Sequence, residues 1–287
     1  MEKIAFIGVG VMGQSMVRNL HHAGYQVSIY TCTKAKVETL LQEGITWHET
    51  IASCVKGQNI VMTMVGYPDD VKDVYYNENG ILQNAAPQTI CIDFTTSEPA
   101  LAQKIYQDAK AYHIHVLDAP VSGGDIGAKN ATLSIMVGGE QEIFNKVLPL
   151  FEVLGNSIHY VGSAGLGQHT KMANQIAIAG TIAGVSEAIH YAQSVHLDTD
   201  ILMQCIAHGA AGSWQLTHNG QAILEQDFKP GFYIKHFIKD MKIAKNEMRK
   251  RDKQLEVMNQ VLSMYEQLDE DEHGTQALIH YYQHSKD

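Results

Sequence analysis

Lys171 is the residue of this sequence best placed to move a proton. It lies in Gly165-Leu166-Gly167-Gln168-His169-Thr170-Lys171-Met172-Ala173-Asn174-Gln175, where it opens a helical pattern that is otherwise nearly free of charge. At helical spacing Lys171, Asn174, Gln175 and Ile178 share one face. A lysine partly desolvated there, with another cation beside it, loses proton affinity and can exchange a proton near neutral pH. The alternative, a solvated surface lysine, stays open on these residues alone.

A second constellation points to what that proton transfer could serve. The apolar run Ile4-Ala5-Phe6-Ile7 reads as a buried strand. It leads into Gly8-Val9-Gly10-Val11-Met12-Gly13 and then into a helical run ending at Leu20. This is G-x-G-x-x-G between strand and helix, the context in which the motif carries weight. Gly8 permits the tight turn, Gly10 leaves room for a pyrophosphate, and Gly13 lets the helix lie against the strand. The helix start then offers N–H groups and the positive end of its dipole to phosphates. A glycine-rich turn that binds nothing is the weaker alternative.

The next loop bears on which dinucleotide binds. It reads Ile29-Tyr30-Thr31-Cys32-Thr33-Lys34, with no carboxylate before Glu38. An NAD site usually carries Asp or Glu in this region for the ribose 2′-hydroxyl. Thr31 and Thr33 could instead donate to a 2′-phosphate and Lys34 could neutralise it, so NADP is expected, with NAD possible. Arginine, the better phosphate partner, is missing. If Thr33 only caps a helix and Lys34 is solvated, the preference stays open.

These residues must be held by elements, and the pattern predicts them. Strands are expected at 26–30, 45–47, 59–64, 89–93 and 115–117, and helices at 34–42, from 51, at 68–75 and at 98–112. Alternation of this kind means a doubly wound parallel sheet, a Rossmann-type α/β domain. Segments 133–137, 140–154 and 158–161 read as an antiparallel extension closing it. After Gly162 only helical patterns follow, at 168–194, 198–208, 214–225, 234–252, 255–268 and 275–284. The expected organisation is a dinucleotide-binding domain over 1–162 and an all-helical domain over 163–287, with a long connecting helix over 165–194. Small residues on that helix (Ala177, Ala179, Gly180, Ala183, Gly184) would let backbones approach closely, in a domain or dimer interface.

Composition excludes several classes. With 287 residues, 45% of them hydrophobic, the chain can build large cores. A formal net charge of -10 argues against a nucleic-acid surface. Cys32, Cys54, Cys91 and Cys205 form no C-x-x-C, and the histidines form no H-E-x-x-H. Neither a disulfide framework nor a metal site is expected, and a reducing, cytoplasmic setting fits. The apolar stretch 172–185 is too short to span a bilayer, and the N-terminus reads as a strand, so no membrane partner is expected.

In a parallel sheet, ligands bind beyond the carboxyl ends of the strands. Those ends are 8–13, 30–34, 64–68, 93–97 and 118–124, all rich in Gly, Pro, Ser, Thr or Asp. Each could be turn chemistry alone; a binding crevice explains the set.

With these motifs in hand, the chain resembles the β-hydroxyacid dehydrogenases. The fingerprint G-x-G-x-M-G-x-x-M-x-x-N-L is met from Gly8 to Leu20. D-A-P-V-S-G-G stands intact at 118–124. G-x-G-x-x-x-K-x-x-N is met by Gly165, Gly167, Lys171 and Asn174, and a late K-D by Lys239-Asp240. The resemblance covers essentially the whole chain. It implies that Lys171 is the general acid/base and that Ser122, Gly123, Gly124 and Asn174 bind substrate. Gln175 stands where many members have a second Asn. It also implies that Met64, Val65 and Thr96 line the nicotinamide side, that Lys239 reaches the cofactor with Asp240 steadying it, and that Trp214 reaches the cleft. A solvated Lys239-Asp240 pair and a buried helix-start Trp214 are the alternatives.

Departures are Asp93-Phe94-Thr95-Thr96-Ser97 for the usual D-x-S-T, and Val65-Gly66-Tyr67-Pro68 without the common Leu-Pro pair. The implied reaction is reversible hydride transfer between NAD(P)H and a small hydroxy acid or its semialdehyde, in a homodimer or homotetramer. A 6-phosphogluconate-type dehydrogenase is disfavoured because the histidine of K-M-x-H-N is lacking. An imine reductase or a non-catalytic dinucleotide-binding module is disfavoured because the lysine is kept.

Overall fold

The computed structural model describes residues 2–284. The first elements are β1 (Lys3–Ile7), α1 (Val11–His22), β2 (Gln26–Tyr30), α2 (Glu38–Gln42), β3 (Thr46–Trp47), α3 (Ile51–Val55) and β4 (Ile60–Thr63). They continue as α4 (Pro68–Tyr76), α5 (Ile81–Asn84), β5 (Ile90–Asp93), α6 (Pro99–Ala109), β6 (His115–Asp118), β7 (Val121–Ser122), α7 (Gly124–Lys129), β8 (Leu133–Gly138), α8 (Gln141–Glu152) and β9 (Gly155–Gly162). From there the chain is helical: α9 (Leu166–Ser194), α10 (Thr199–Ile206), α11 (Gln221–Leu224), α12 (Ile234–Arg249), α13 (Glu256–Leu268) and α14 (Ile279–His284). The chain divides into two compact units, Met1–Lys171 and Met172–Asp287, so α9 begins in one and ends in the other.

The first unit is built on a sheet of order β3-β2-β1-β4-β5-β6-β8-β7, with β9 beside β8. Strands β3 to β6 are parallel along that path, the doubly wound arrangement. In β1, Ile4 and Phe6 enter one core cluster while Ala5 and Ile7 enter another, because both faces are covered. That is why the strand is continuously apolar rather than alternating. The helical unit packs around α9, α12 and α13 through Ile182, Phe237, Met241, Leu262 and Tyr265.

Several local expectations need correction. Strand β8 is antiparallel to β6, but β9 runs parallel to β8, because α8 carries the chain back as a crossover. Thr33 does not cap with its side chain, and the segment opens as a 3₁₀ turn over Lys34–Val37 before α2. The helix expected at 98–112 ends at Ala109 and tightens to a 3₁₀ turn. The pattern at 214–225 opens as a π-helix, Gln215–Gly220, before α11. The short α5 and α7 carry too little periodicity to read, and α7 starts within the S-G-G of D-A-P-V-S-G-G.

Candidate functional site

The carboxyl ends of the parallel strands lie level. Ile7 is in register with Tyr30 and Thr63, Thr63 with Asp93, and Asp93 with Asp118. The ladder continues just past them: Gly8 N–H donates to the Tyr30 carbonyl, Met64 to Ile7, Phe94 to Thr63 and Ala119 to Asp93. One edge therefore gathers Gly8, Val9, Gly10, Val11, Met12, Gly13, Thr31, Thr33, Lys34, Met64, Val65 and Thr96.

The glycines differ in what constrains them. Gly8 has φ of 90°, and a methyl group there would run into the Met64 carbonyl. A methyl group on Gly13 would strike the Gly8 carbonyl and come within 3.2 Å of the Phe6 ring. Beside Gly10 nothing lies within 4 Å. Two glycines thus serve the fold, and the third keeps an open cradle at the start of α1. No acidic side chain stands in the first turn of α1 and no side chain caps it, which leaves orphan amides facing that space. An uncapped helix start with open space beside it fits a phosphate group such as the pyrophosphate of a dinucleotide.

Lys34 is exposed, with its ammonium 4.6 Å from the centre of the Trp47 ring, a cation–π contact that orients it. Cys32 and Thr33 are also exposed, and Thr31 is half-buried. Across the edge, Asp93 organises the next loops. Its Oδ1 accepts from Thr63 Oγ1 at 2.7 Å and from Thr95 N–H at 3.0 Å, and Thr95 Oγ1 accepts from Val65 N–H at 3.0 Å. Thr95 and Ser97 are buried with Thr96 half-buried between them. Asn19 donates to the Ala128 carbonyl at 2.8 Å, tying α1 to α7 just beyond Ser122, Gly123 and Gly124. The φ angles of Gly123 and Gly124, 131° and 63°, turn the chain there.

Lys171 is buried, at 6% exposure. The start of its helix is locked in place. Gly165 has no side chain with which to cap, and Asp118 supplies the acceptors from β6. Its Oδ1 takes the Gly165 N–H at 2.8 Å and its Oδ2 the Gln168 N–H at 2.9 Å. Gln168, fully buried, donates to the Thr95 carbonyl at 2.7 Å and accepts from Ser97 N–H at 2.9 Å. The approach is close: a methyl group on Gly167 would lie 2.5 Å from the Asp118 and Met136 carbonyl oxygens. That contact is the physical content of the second glycine in G-x-G. Burial pushes the Asp118 carboxyl up to about 6, its two amide partners pull the other way, and the Asp93 charge adds to the rise.

In the helical unit, Gln175 and Asp240 are brought together. Gln175 Nε2 donates to Asp240 Oδ2 at 2.7 Å and its Oε1 accepts from Asn174 Nδ2 at 2.8 Å. Lys239 Nζ stands 3.2 Å from Asp240 Oδ1, and Asp240 is only 1% exposed. The reading of Lys239 and Asp240 as a solvated pair is therefore wrong. Trp214 is 60% exposed, with its ring stacked 4.2 Å from His218, so the reading of a buried helix-start residue fails as well.

The roles of Asp118 and Gln168 in seating α9, and of Trp47 beneath Lys34, were not evident from spacing. Asp118 stands in a recognisable motif, but its partners lie 47 and 50 residues away. Among the described residues, no group of His, Cys, Asp and Glu could hold a metal ion, and no helix is long and apolar enough to cross a membrane.

Comparison with known proteins gives the family. Residues 3–162 match the family model described as the NAD binding domain of 6-phosphogluconate dehydrogenase. Residues 165–282 match that described as NAD-binding of NADP-dependent 3-hydroxyisobutyrate dehydrogenase. The chain belongs to the β-hydroxyacid dehydrogenase family. A mitochondrial 3-hydroxyisobutyrate dehydrogenase-like protein of Arabidopsis thaliana is 40% identical over 281 residues, covering 96% of this chain and 84% of that protein. The 2-hydroxy-3-oxopropionate reductase of Escherichia coli is 37% identical over 242 residues, 84% of this chain and 82% of the reductase. The solved 3-hydroxyisobutyrate dehydrogenase of Mycobacterium tuberculosis, in a structure with L-serine, superposes with a TM-score of 0.90 at 28% identity over 98% of each chain. As a β-hydroxyacid dehydrogenase the protein is an oxidoreductase with a nicotinamide-dinucleotide-binding domain.

Proposed function

We propose that this oxidoreductase interconverts a small hydroxy acid and its semialdehyde with NADP as the preferred cofactor and Lys171 as general acid/base. The observation that carries the reading is the burial of Lys171 one turn beyond a helix start fixed by Asp118 and Gln168. A desolvated lysine exchanges its proton more readily than a solvated one.

The cradle at Gly10 and the amides of α1 would hold the pyrophosphate, Thr31, Thr33 and Lys34 the 2′-phosphate, and Met64, Val65 and Thr96 the nicotinamide side. When bound, the nicotinamide supplies or accepts the hydride. Lys171 gives a proton to the carbonyl oxygen as it becomes a hydroxyl, and takes that proton back in the oxidising direction. Ser122, Gly123, Gly124 and Asn174 orient the substrate carboxylate. Gln175 holds Asn174 and Asp240, Asp240 steadies Lys239, and the exposed ring of Trp214 offers a further substrate contact. The matched loops contain no arginine for a second carboxylate or a phosphate, which favours a small monocarboxylate.

The exposed stripe Ala173, Ala177, Thr181 and Gly184 on α9 supports association into a homodimer or homotetramer. Four free cysteines are in keeping with a cytoplasmic setting. The test is nicotinamide oxidation by the pure protein with glyoxylate and with succinic, tartronate and methylmalonate semialdehydes, using NADPH and NADH in parallel. Turnover of one aldehyde, faster with NADPH, is expected. Equal or faster turnover with NADH would discard the role given to Thr31, Thr33 and Lys34. No turnover despite cofactor binding would favour an imine substrate or a binding module.

A further inference from the structure

We infer that Asp118 is a positioning residue for Lys171: its ionised carboxylate, by accepting the Gly165 and Gln168 amides together, fixes the first turn of α9 and thereby the point from which the lysine side chain extends. The inference rests on the reading of Lys171 as the acid/base.

The geometry carries it. An ordinary N-cap residue precedes its own helix. Here that position is Gly165, with φ of 89° and a methyl-sized space closed by Gln103 and Pro99. The capping group comes instead from the end of β6, so the helix start is tied to the sheet edge where the dinucleotide cradle lies. Gln168 makes a second tie, to the backbone on both sides of Thr96. Lys171 follows Gln168 by three residues and is the first ionisable side chain after His169.

Protonation makes one carboxyl oxygen an O–H donor and a much weaker acceptor, so one of the two amides, one on each oxygen, is held less firmly. The groups facing the Asp118 carboxyl are these two amides of α9, its own backbone amide, and the Asp93 carboxylate from β5, itself held by Thr63 and Thr95. Gly138 of β8 lies against it and brings no charge. Burial and Asp93 hold its titration at about 6. Turnover, unlike cofactor binding, should therefore fall as pH drops through that value.

The experiment compares Asp118→Asn, Lys171→Ala and the double variant, using the aldehyde that the native enzyme turns over fastest. Asparagine offers one acceptor and turns an NH₂ towards the other amide. Asp118→Asn should lower kcat by about 10- to 100-fold, leave NADPH affinity within about twofold, and abolish the acid limb of the pH profile. In the Lys171→Ala background it should cost nothing further, because positioning matters only while the lysine is present. An unchanged kcat, a retained acid limb, or additive losses would overturn the inference.

If Lys171→Ala turns over normally, the lysine reading fails. If Lys171→Ala is impaired while Asp118→Asn is normal, only the positioning role fails. Should Asp118→Asn not fold, carbon-13 NMR of the native protein labelled at aspartate decides. A carboxyl titrating in step with the acid limb supports the inference, and one titrating out of step overturns it.

Discussion

In the sheet unit, the candidate residues are placed by backbone. Gly8 and Gly13 close against carbonyls, Gly167 lies against the main chain of Asp118 and Met136, and level strand ends set the rest. In the helical unit, Asn174, Gln175, Asp240 and Lys239 are placed by one another's side chains. A site built on backbone tolerates no side chain at the glycines packed against it, Gly8, Gly13 and Gly167, and the Asp93 and Asp118 carboxylates tie its loops to that frame. A site built on a side-chain chain fails at its most buried member.

Gly13→Ala should break the backbone-built side most severely. A methyl group against the Gly8 carbonyl cannot be relieved by a rotamer change, so about 4 kcal/mol of stability should be lost, read as a fall in the denaturant midpoint. Gly10→Ala sharpens the contrast. Its methyl group enters open space, so the midpoint should hold while NADPH affinity falls at least about tenfold. If both variants lose stability equally, the cradle is a structural turn.

Asp240→Ala is the matching break in the helical unit. It leaves Lys239 beside an emptied, buried site and removes the acceptor for Gln175. Breaking a buried pair this way costs about 3 to 4 kcal/mol, measurable by chemical denaturation.

A smaller effect is expected from pH. The Asp118 carboxyl is raised in the folded state from 3.8 to about 6. The folded protein therefore binds that proton more tightly than the unfolded chain, and stability falls as pH rises from the lower value to the upper one, then levels. The difference is about 2 to 3 kcal/mol. The stability difference between native protein and Asp118→Asn should change by that amount between pH 4 and pH 7, and a flat difference would contradict it. The fold is thus more stable with this group neutral, while the proposed role needs it ionised.

Lys34→Ala should have the smallest consequence: NADPH binding weakened about three- to tenfold, NADH binding unchanged, and stability unaffected, since the ammonium is exposed and screened. Titrating both cofactors into the variant checks it.

How much of this was legible follows from the same contrast. Glycine spacing and the unbroken apolar run Ile4-Ala5-Phe6-Ile7 are local, so the sheet, its ligand edge and the cradle could be read directly. The Thr33 cap failed because a 3₁₀ turn competes with a capped α-helix over so short a segment. The direction of β9 depends on a crossover, not on its own residues. Asp118 with Gln168, and Gln175 with Asp240, pair residues 50 and 65 apart, and no pattern of period connects them. For Lys239 the bare sequence favoured a solvated pair; only the family motif pointed elsewhere, and the burial of Asp240 gives the reason.

The measurement that tests the central claim most directly is single-turnover oxidation of bound NADPH by the aldehyde that the native enzyme turns over, in native protein and in Lys171→Ala across pH. Loss of the proton-transfer contribution should slow the variant about a hundred- to ten-thousand-fold with cofactor affinity retained. A variant that oxidises bound NADPH at close to the native rate would contradict the assignment of Lys171 as the acid/base.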